Sequence, residues 1–400
     1  MEKFVHTSNN MKSIQLDRFV SFIDCNNTPV VIPTLISMSM NKTGCVKSQK
    51  TIVNKNKVVE VTIVDTEINP STINIHEDAI LHFLQYVEQQ SQLNPDLPNV
   101  HMHTHATSEF INTYLNDYLI SELKKGFNTV TQRISILTSY YIYLSYLGIA
   151  ETKNLYIYQK LRAAAHQNIV RSRAYKYIQK DTRNKMLLTC KTIRDELLLR
   201  FGFECGLRAI ENTSLFMDDF TYAKKPQKGF KSLFDELEQS DKDVFEYLLT
   251  ITKARKNEGS PARTIYIPRA LLEKCKMYYL VERQKETNSN SLLVSTDGKG
   301  TAIKAGVATR VFRDIRTMLL DGRSPNLVLN EDNSYHHLRH SFGTEKFYEL
   351  CRGIPHDSIT EGHSVVTEVA RLMGHKINKK EWAQEVTIRY IRSIDLMLAN

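Results

Sequence analysis

Residues Ser334 to Thr344 read SYHHLRHSFGT, which sets His336, His337, Arg339 and His340 within one short stretch. Ser334 is a natural N-cap, so a helix is expected to start here, with His336 and Arg339 on one face and His340 a turn beyond His336. Helix N-termini favour anions, so cations gathered at one are misplaced unless an anion sits among them; taken alone, the segment reads equally as a core face of Leu338, Phe342 and Phe347 with satisfied histidines beside it. Two further segments carry matching chemistry. FECGLRAIEN puts Arg208 just after Gly206, and VARLMGHK ends a helical pattern at Gly374, a C-cap that throws His375 out at a fixed angle. Fifteen residues further on, VTIRYIRSI carries Tyr390. Arginines offer forked donors for the oxygens of a phosphate, histidines move protons, and a tyrosine can act as a nucleophile.

These residues need elements to hold them. The stretch to about Asp65 is strand-like, and KSQKTIVNKNKVVEVTIVD predicts a hairpin turning at Asn54-Lys55-Asn56. Helical spacing follows over Thr72 to Gln90, over Ser108 to Lys124, and from an N-cap at Asn128 to Gly148. Leu187, Ile193, Leu197, Leu198 and Phe201 predict one amphipathic helix, LLTITKARKNEGSPARTIYIP predicts a second hairpin, and the chain from about Val307 is mostly helical. The expected fold class is mostly α with small β-sheets (α+β). The expected division is a β-rich N-terminal segment 1–66, a helical domain 67–170 and a mixed domain 171–400.

The 400 residues carry 53 Lys and Arg against 44 Asp and Glu, a net charge of +9, and this basic excess suits a polyanionic partner without requiring one. Between Lys160 and Lys185, Lys160, Arg162, Arg171, Arg173, Lys176, Lys180, Arg183 and Lys185 face the single acid Asp181, with Tyr175 and Tyr177 among them. That run reads either as a solvated surface or as a basic strap lying on phosphates. Six scattered cysteines form no CxxC pair, no apolar run approaches the ~20 residues that span a bilayer, and MEKFVHTSNNMKS lacks the apolar core of a signal peptide. A reduced, cytoplasmic setting with no membrane partner is the expectation.

The order GLR, a lysine-bearing hairpin, HxLRH, LMGH and a C-terminal tyrosine resembles the tyrosine recombinase (phage integrase) family over about Met186 to Asn400. The texture of the helix before Gly148 is similar to that family's core-binding domain. The resemblance implies a DNA strand breaking-rejoining enzyme, a site-specific recombinase that cuts and rejoins through a 3′-phosphotyrosine intermediate and a Holliday junction. Carried onto this chain, it makes Arg208 the first arginine, His336 and Arg339 the HxxR pair, His375 the second histidine and Tyr390 the nucleophile. Lys253 in ITKARKN is the matching lysine, with Lys256 as the alternative, and Glu211 matches the acidic residue that supports the first arginine. The resemblance implies no metal and no other cofactor. Its implied partners are double-stranded DNA recombination sites, three further copies of the chain in a tetramer on DNA, and an accessory directionality factor.

Within that resemblance, integration of a mobile element is the expected task, with an Xer-type resolvase and a catalytically silent DNA-binding relative as the alternatives. The segment 1–66 is read as a cap on the helical domain or as an arm-binding domain. Two departures stand out: the long spacing from His375 to Tyr390 through KINKKEWAQEV, and the polar insertion KKPQKGFKSLFDELEQSDKD over 224–243, for which the sequence suggests no function. HMHTH, with His101, His103 and His105, invites a zinc reading, although it follows NPDLPNV in a loop between helices.

Overall fold

The computed structural model describes residues 1–7, 16–53, 59–168, 177–250, 262–284, 287–322, 327–351, 353–355, 359, 363–375 and 397. The fold is α+β, mostly helical with small antiparallel sheets, and it divides into two compact units, Met1–Arg171 and Ser172–Asn400.

The first unit opens with an antiparallel sheet of β1 (Glu2–Thr7), β2 (Arg18–Ile23) and β3 (Pro29–Val30). Helix α1 (Val31–Thr43) follows, where the sequence reading had strand-like chain throughout. The sign of the helix is its buried face of Pro33, Ile36, Ser37 and Met40, and Gly44 ends it at φ 65°. The expected hairpin is β4 (Cys45–Val53) with β5 (Val59–Glu67), in register from Cys45 opposite Glu67 to Val53 opposite Val59. Then come α2 (Pro70–Leu93), a 3-10 turn Val100–His105, and α3 (Ser108–Thr113), which widens into π geometry over Tyr114–Glu122. Helices α4 (Phe127–Tyr146) and α5 (Gln159–Gln167) complete the unit. Gly126, rather than Asn128, occupies the N-cap position of α4.

Val20, Phe22, Ile36 and Met40 share one core with Ile80, Phe83, Leu84, Leu137 and Leu144, so the first 66 residues pack with the helices that follow them. The buried carboxylate of Glu77 on α2 reinforces this. It accepts from both Nη atoms of Arg18 (3.1 and 2.6 Å), from Ser37 Oγ (2.6 Å) and from Asn41 Nδ2 (2.9 Å). A buried charge is tolerated only when paired and hydrogen-bonded in this way.

The second unit begins with α6 (Lys180–Thr189) and α7 (Ile193–Glu204). The single helix expected here is two, because Thr192 caps α7, accepting from Asp195 N at 3.1 Å. A 3-10 turn Ala209–Ser214 follows, then the small hairpin of β6 (Phe220–Tyr222) and β7 (Lys225–Gln227), and α8 (Phe230–Gln239). The insertion that reads as polar therefore builds structure: Phe230, Leu233, Phe234 and Leu237 are buried along one face of α8. The second hairpin pairs β8 (Val244–Leu249) with β9 (Arg263–Pro268), Val244 opposite Pro268 and Leu249 opposite Arg263. Helices α9 (Arg269–Val281), α10 (Val307–Asp321), α11 (Tyr335–Cys351) and α12 (Ser364–Leu372) follow among the described residues. Phe342, Phe347 and Cys351 of α11 pack on Val365, Val366 and Val369 of α12, and Met397 leans on the same cluster.

Candidate active site

Three backbone turns set the site. The first follows α7, where Gly206 adopts φ 65° and Leu207 N donates to Phe201 O at 3.0 Å. A Cβ at Gly206 would lie 2.5 Å from the Phe342 ring, so α11 packs here only against a glycine. The turn delivers Arg208 into the N-cap position of the 3-10 turn Ala209–Ser214, where Glu211 Oε2 accepts from Arg208 N at 2.9 Å.

The second turn opens α11. Ser334 precedes the helix, and His337 reaches back so that its Nδ1 accepts from Ser334 N at 3.0 Å. Ser334 Oγ and O stand 3.2 and 3.3 Å from the same ring nitrogen, which makes His337 part of the helix start. Tyr335 anchors the same turn: its hydroxyl donates to Leu198 O (2.8 Å) and accepts from Asn212 Nδ2 (2.9 Å). His336 is left exposed, edge-on to His340 with ring centroids 4.8 Å apart, while Arg339 on the inner side is wholly buried.

The third turn ends α12, with Met373 rather than Gly374 in the C-cap position and the left-handed glycine one residue beyond it. Gly374 has φ 59°, its N–H donates to Arg371 O (3.0 Å), and His375 N donates to Ala370 O (2.9 Å).

The turns converge on one carboxylate. Glu211, fully buried, receives Arg208 Nη1 on Oε1 at 2.6 Å, while Arg339 Nη1 lies 3.5 Å from Oε2. Arg339 donates one Nη to Gly206 O and the other to Met373 O, so it ties the Arg208 turn to the His375 turn. Sequence reasoning missed a third arginine. Arg263, at the start of β9, donates Nη2 to Glu211 Oε2 (2.7 Å) and Gly206 O (3.2 Å), and Nη1 to Leu372 O (2.6 Å). One signal was available: Arg263, Ile265 and Ile267 alternate on the buried face of β9, so the arginine at the strand start faces inward.

The electrostatics follow from this packing. Burial pushes the Glu211 carboxyl up, yet the Arg263, Arg339 and Arg208 charges outweigh it and hold the group below its usual range. Burial, then the Arg339, Arg208 and Arg263 charges, push the His375 imidazole down to about 3, with His336 adding to the effect. His375 is therefore neutral at physiological pH and can offer a ring N–H. Three arginines against one carboxylate leave a positive excess, and Arg208 is the one that opens outward, with its side chain 21% exposed. Such a site is built to take an anion.

The structure thus brings Arg208, Glu211, Arg339 and His375 together, with His336 close enough to add to the downward push on His375. Lys253, Lys256 and Tyr390 lie outside the described residues. In the basic run, Arg183 is buried, pairs with Glu345 and lies over the Phe203 ring (4.9 Å), while Tyr177 donates to Glu345 at 2.8 Å. These two hold the fold rather than a surface strap. In HMHTH, His103 Nε2 is hydrogen-bonded to Tyr140 (2.7 Å) and His101 to Asp24 (3.0 Å), so the two rings serve separate partners. Among the described residues, no group of histidine, cysteine and acidic side chains is placed to hold a metal ion.

No family model matches the sequence, and no curated protein matches it. The chain is similar to solved structures of recombinases and integrases. A Tn1549 transposon integrase in complex with circular intermediate DNA is 12% identical, with 83% of this chain and 94% of that one covered and a TM-score of 0.49. XerH site-specific recombinase bound to its palindromic difH substrate is 14% identical, with 82% and 77% covered and a TM-score of 0.47. A lambda integrase dimer bound to a core site is 12% identical, with 97% and 94% covered and a TM-score of 0.41.

Proposed function

We propose that this chain is a site-specific DNA recombinase of the tyrosine type, the integrase of a mobile element. The observation that carries this reading is the convergence on Glu211 of Arg208, Arg339 and the His375 turn, from segments far apart in sequence. It is a buried, cation-rich site held ready for an anion, and a phosphodiester is the anion that suits an outward-facing arginine fork beside a neutral imidazole N–H.

In this reading Tyr390 attacks a DNA phosphate, a 3′-phosphotyrosyl bond forms, and the bond to the 5′ oxygen breaks. The attacking phenol, whose ordinary pKa is ~10, must lose its proton, and His336 helps to take it. Lys253, or Lys256 in the neighbouring register, returns a proton to the leaving 5′ oxygen. Arg208 donates directly to the nonbridging oxygens. Arg339 adds its charge from behind, because both Nη atoms are engaged on the carbonyls of Gly206 and Met373. His375 donates its N–H to one oxygen. Rejoining is the same sequence run backwards with a 5′-hydroxyl from another strand. Four protomers act together on two DNA sites, and a directionality factor biases the outcome. The test is an SDS-resistant protein–DNA adduct on a nicked duplex carrying the junction of the element that encodes the chain. Absence of the adduct on that substrate would sink the proposal.

A further inference from the structure

Arg263 occupies a position that the reaction as outlined does not use, yet it holds more of the site together than a strand residue needs to. Its side chain is 7% exposed and crosses from β9 to three separate groups: Glu211 Oε2, Gly206 O and Leu372 O. Room for it is made by Gly374, where a Cβ would stand 2.5 Å from Arg263 Cδ. The main-chain carbonyls it joins belong to the Arg208 turn and to the C-terminal end of α12, the partially negative end of that helix.

The charge arrangement gives this a purpose. Glu211 has two oxygens and three arginines around it. Oε2 sits 2.7 Å from Arg263 and 3.5 Å from Arg339. Without Arg263, that oxygen would turn its full charge on Arg339 and cancel part of the field that an incoming phosphate meets. We propose that Arg263 is a positioning residue of the phosphate site: it neutralises Glu211 Oε2, leaving the Arg208 and Arg339 charges to the bound phosphate, and it fixes the Arg208 turn against the turn that carries His375. This rests on the reading of the site as one for a phosphodiester.

The test uses the full-length chain and inorganic phosphate as the probe, with affinity read from the His375 ring signals in NMR spectra. Arg263→Met should bind phosphate about tenfold more weakly than wild type, the scale of one lost charge-assisted contact. Arg263→Lys keeps a cation beside Glu211 but loses the fork to Gly206 O and Leu372 O, and should bind phosphate more tightly than Arg263→Met though more weakly than wild type. The double variant Glu211→Gln with Arg263→Met removes one charge of each sign, and should bind phosphate more tightly than Arg263→Met alone. The His375 titration midpoint should rise in Arg263→Met and hold in Arg263→Lys, which a change in fold stability alone would not produce. A double variant no tighter than Arg263→Met, an Arg263→Lys as weak as Arg263→Met, or a wild-type protein that does not bind phosphate would each overturn the assignment. If phosphate binding follows the predicted order while no covalent DNA adduct forms, the role of Arg263 stands and the recombinase reading falls.

Discussion

Arg208 Nη1 lies 2.6 Å from Glu211 Oε1, with the carboxylate wholly buried and the arginine still 21% exposed. The pair divides the work: Glu211 is fixed in the core and holds an arginine that faces solvent. Removing one partner of a buried ion pair typically costs ~3 kcal/mol or more. Glu211→Gln should lower the stability of the anion-free protein on that scale, since it leaves Arg263 and Arg339 uncompensated. Added phosphate should restore much of the loss. Urea midpoints with and without phosphate measure this, and equal destabilisation in both buffers would contradict it.

Arg339→Lys keeps the charge but cannot reach Gly206 O and Met373 O with one planar fork. Strand cleavage should fall by ~100-fold, while DNA affinity, which rests on many phosphate contacts, should barely move. Single-turnover adduct formation and a binding titration separate the two. Wild-type cleavage by this variant would remove Arg339 from the reaction.

Acid should destabilise the protein. His375 is pushed down to about 3, and burial holds His76 and His103 near about 4. In the unfolded chain each titrates near ~6.5. Below that pH the unfolded state binds more protons, so the stability these groups contribute is complete above about 6.5 and is lost as pH falls toward their folded values. For His103, 1% exposed, the slope approaches about 1.4 kcal/mol per pH unit. Urea midpoints at several pH values between about 7.5 and 5 should decline; a flat profile would contradict the neutral, buried histidines.

Gly374→Ala meets two obstacles, a φ of 59° and a Cβ 2.5 Å from Arg263 Cδ. The left-handed conformation alone costs ~1 kcal/mol or more for a residue with a Cβ. The variant should therefore be less stable by at least that amount, and it should cleave poorly because the His375 turn shifts. Calorimetry checks the first effect and adduct formation the second. Normal cleavage by Gly374→Ala would show that this turn tolerates displacement.

Local signals in the sequence carried much of this site. GLR after a helix, the serine before His336 and the glycine before His375 are each read within a few residues of chain, and Gly206 and Gly374 take the left-handed turns that such positions favour. Arg263 escaped because its meaning is long-range: Glu211 is 52 residues away and Leu372 is 109. Helix α1 was hidden by β-branched residues at its start, a weak preference that packing of Ile36 and Met40 into the core overrides. Helix α8 was hidden by the charges between its apolar positions, although Phe230, Leu233, Phe234 and Leu237 repeat at steps of three, one and three.

The account turns on Tyr390, and one measurement addresses it directly. The protein is incubated with a nicked duplex carrying its own junction sequence, the SDS-resistant adduct is isolated, and the nucleotide-bearing peptide is sequenced by mass spectrometry, in parallel with Tyr390→Phe. The expected result is a nucleotide joined through its 3′ phosphate to Tyr390, and no adduct from a variant that still binds the duplex. An adduct that survives Tyr390→Phe, or a phosphate joined to any other side chain, would contradict the account.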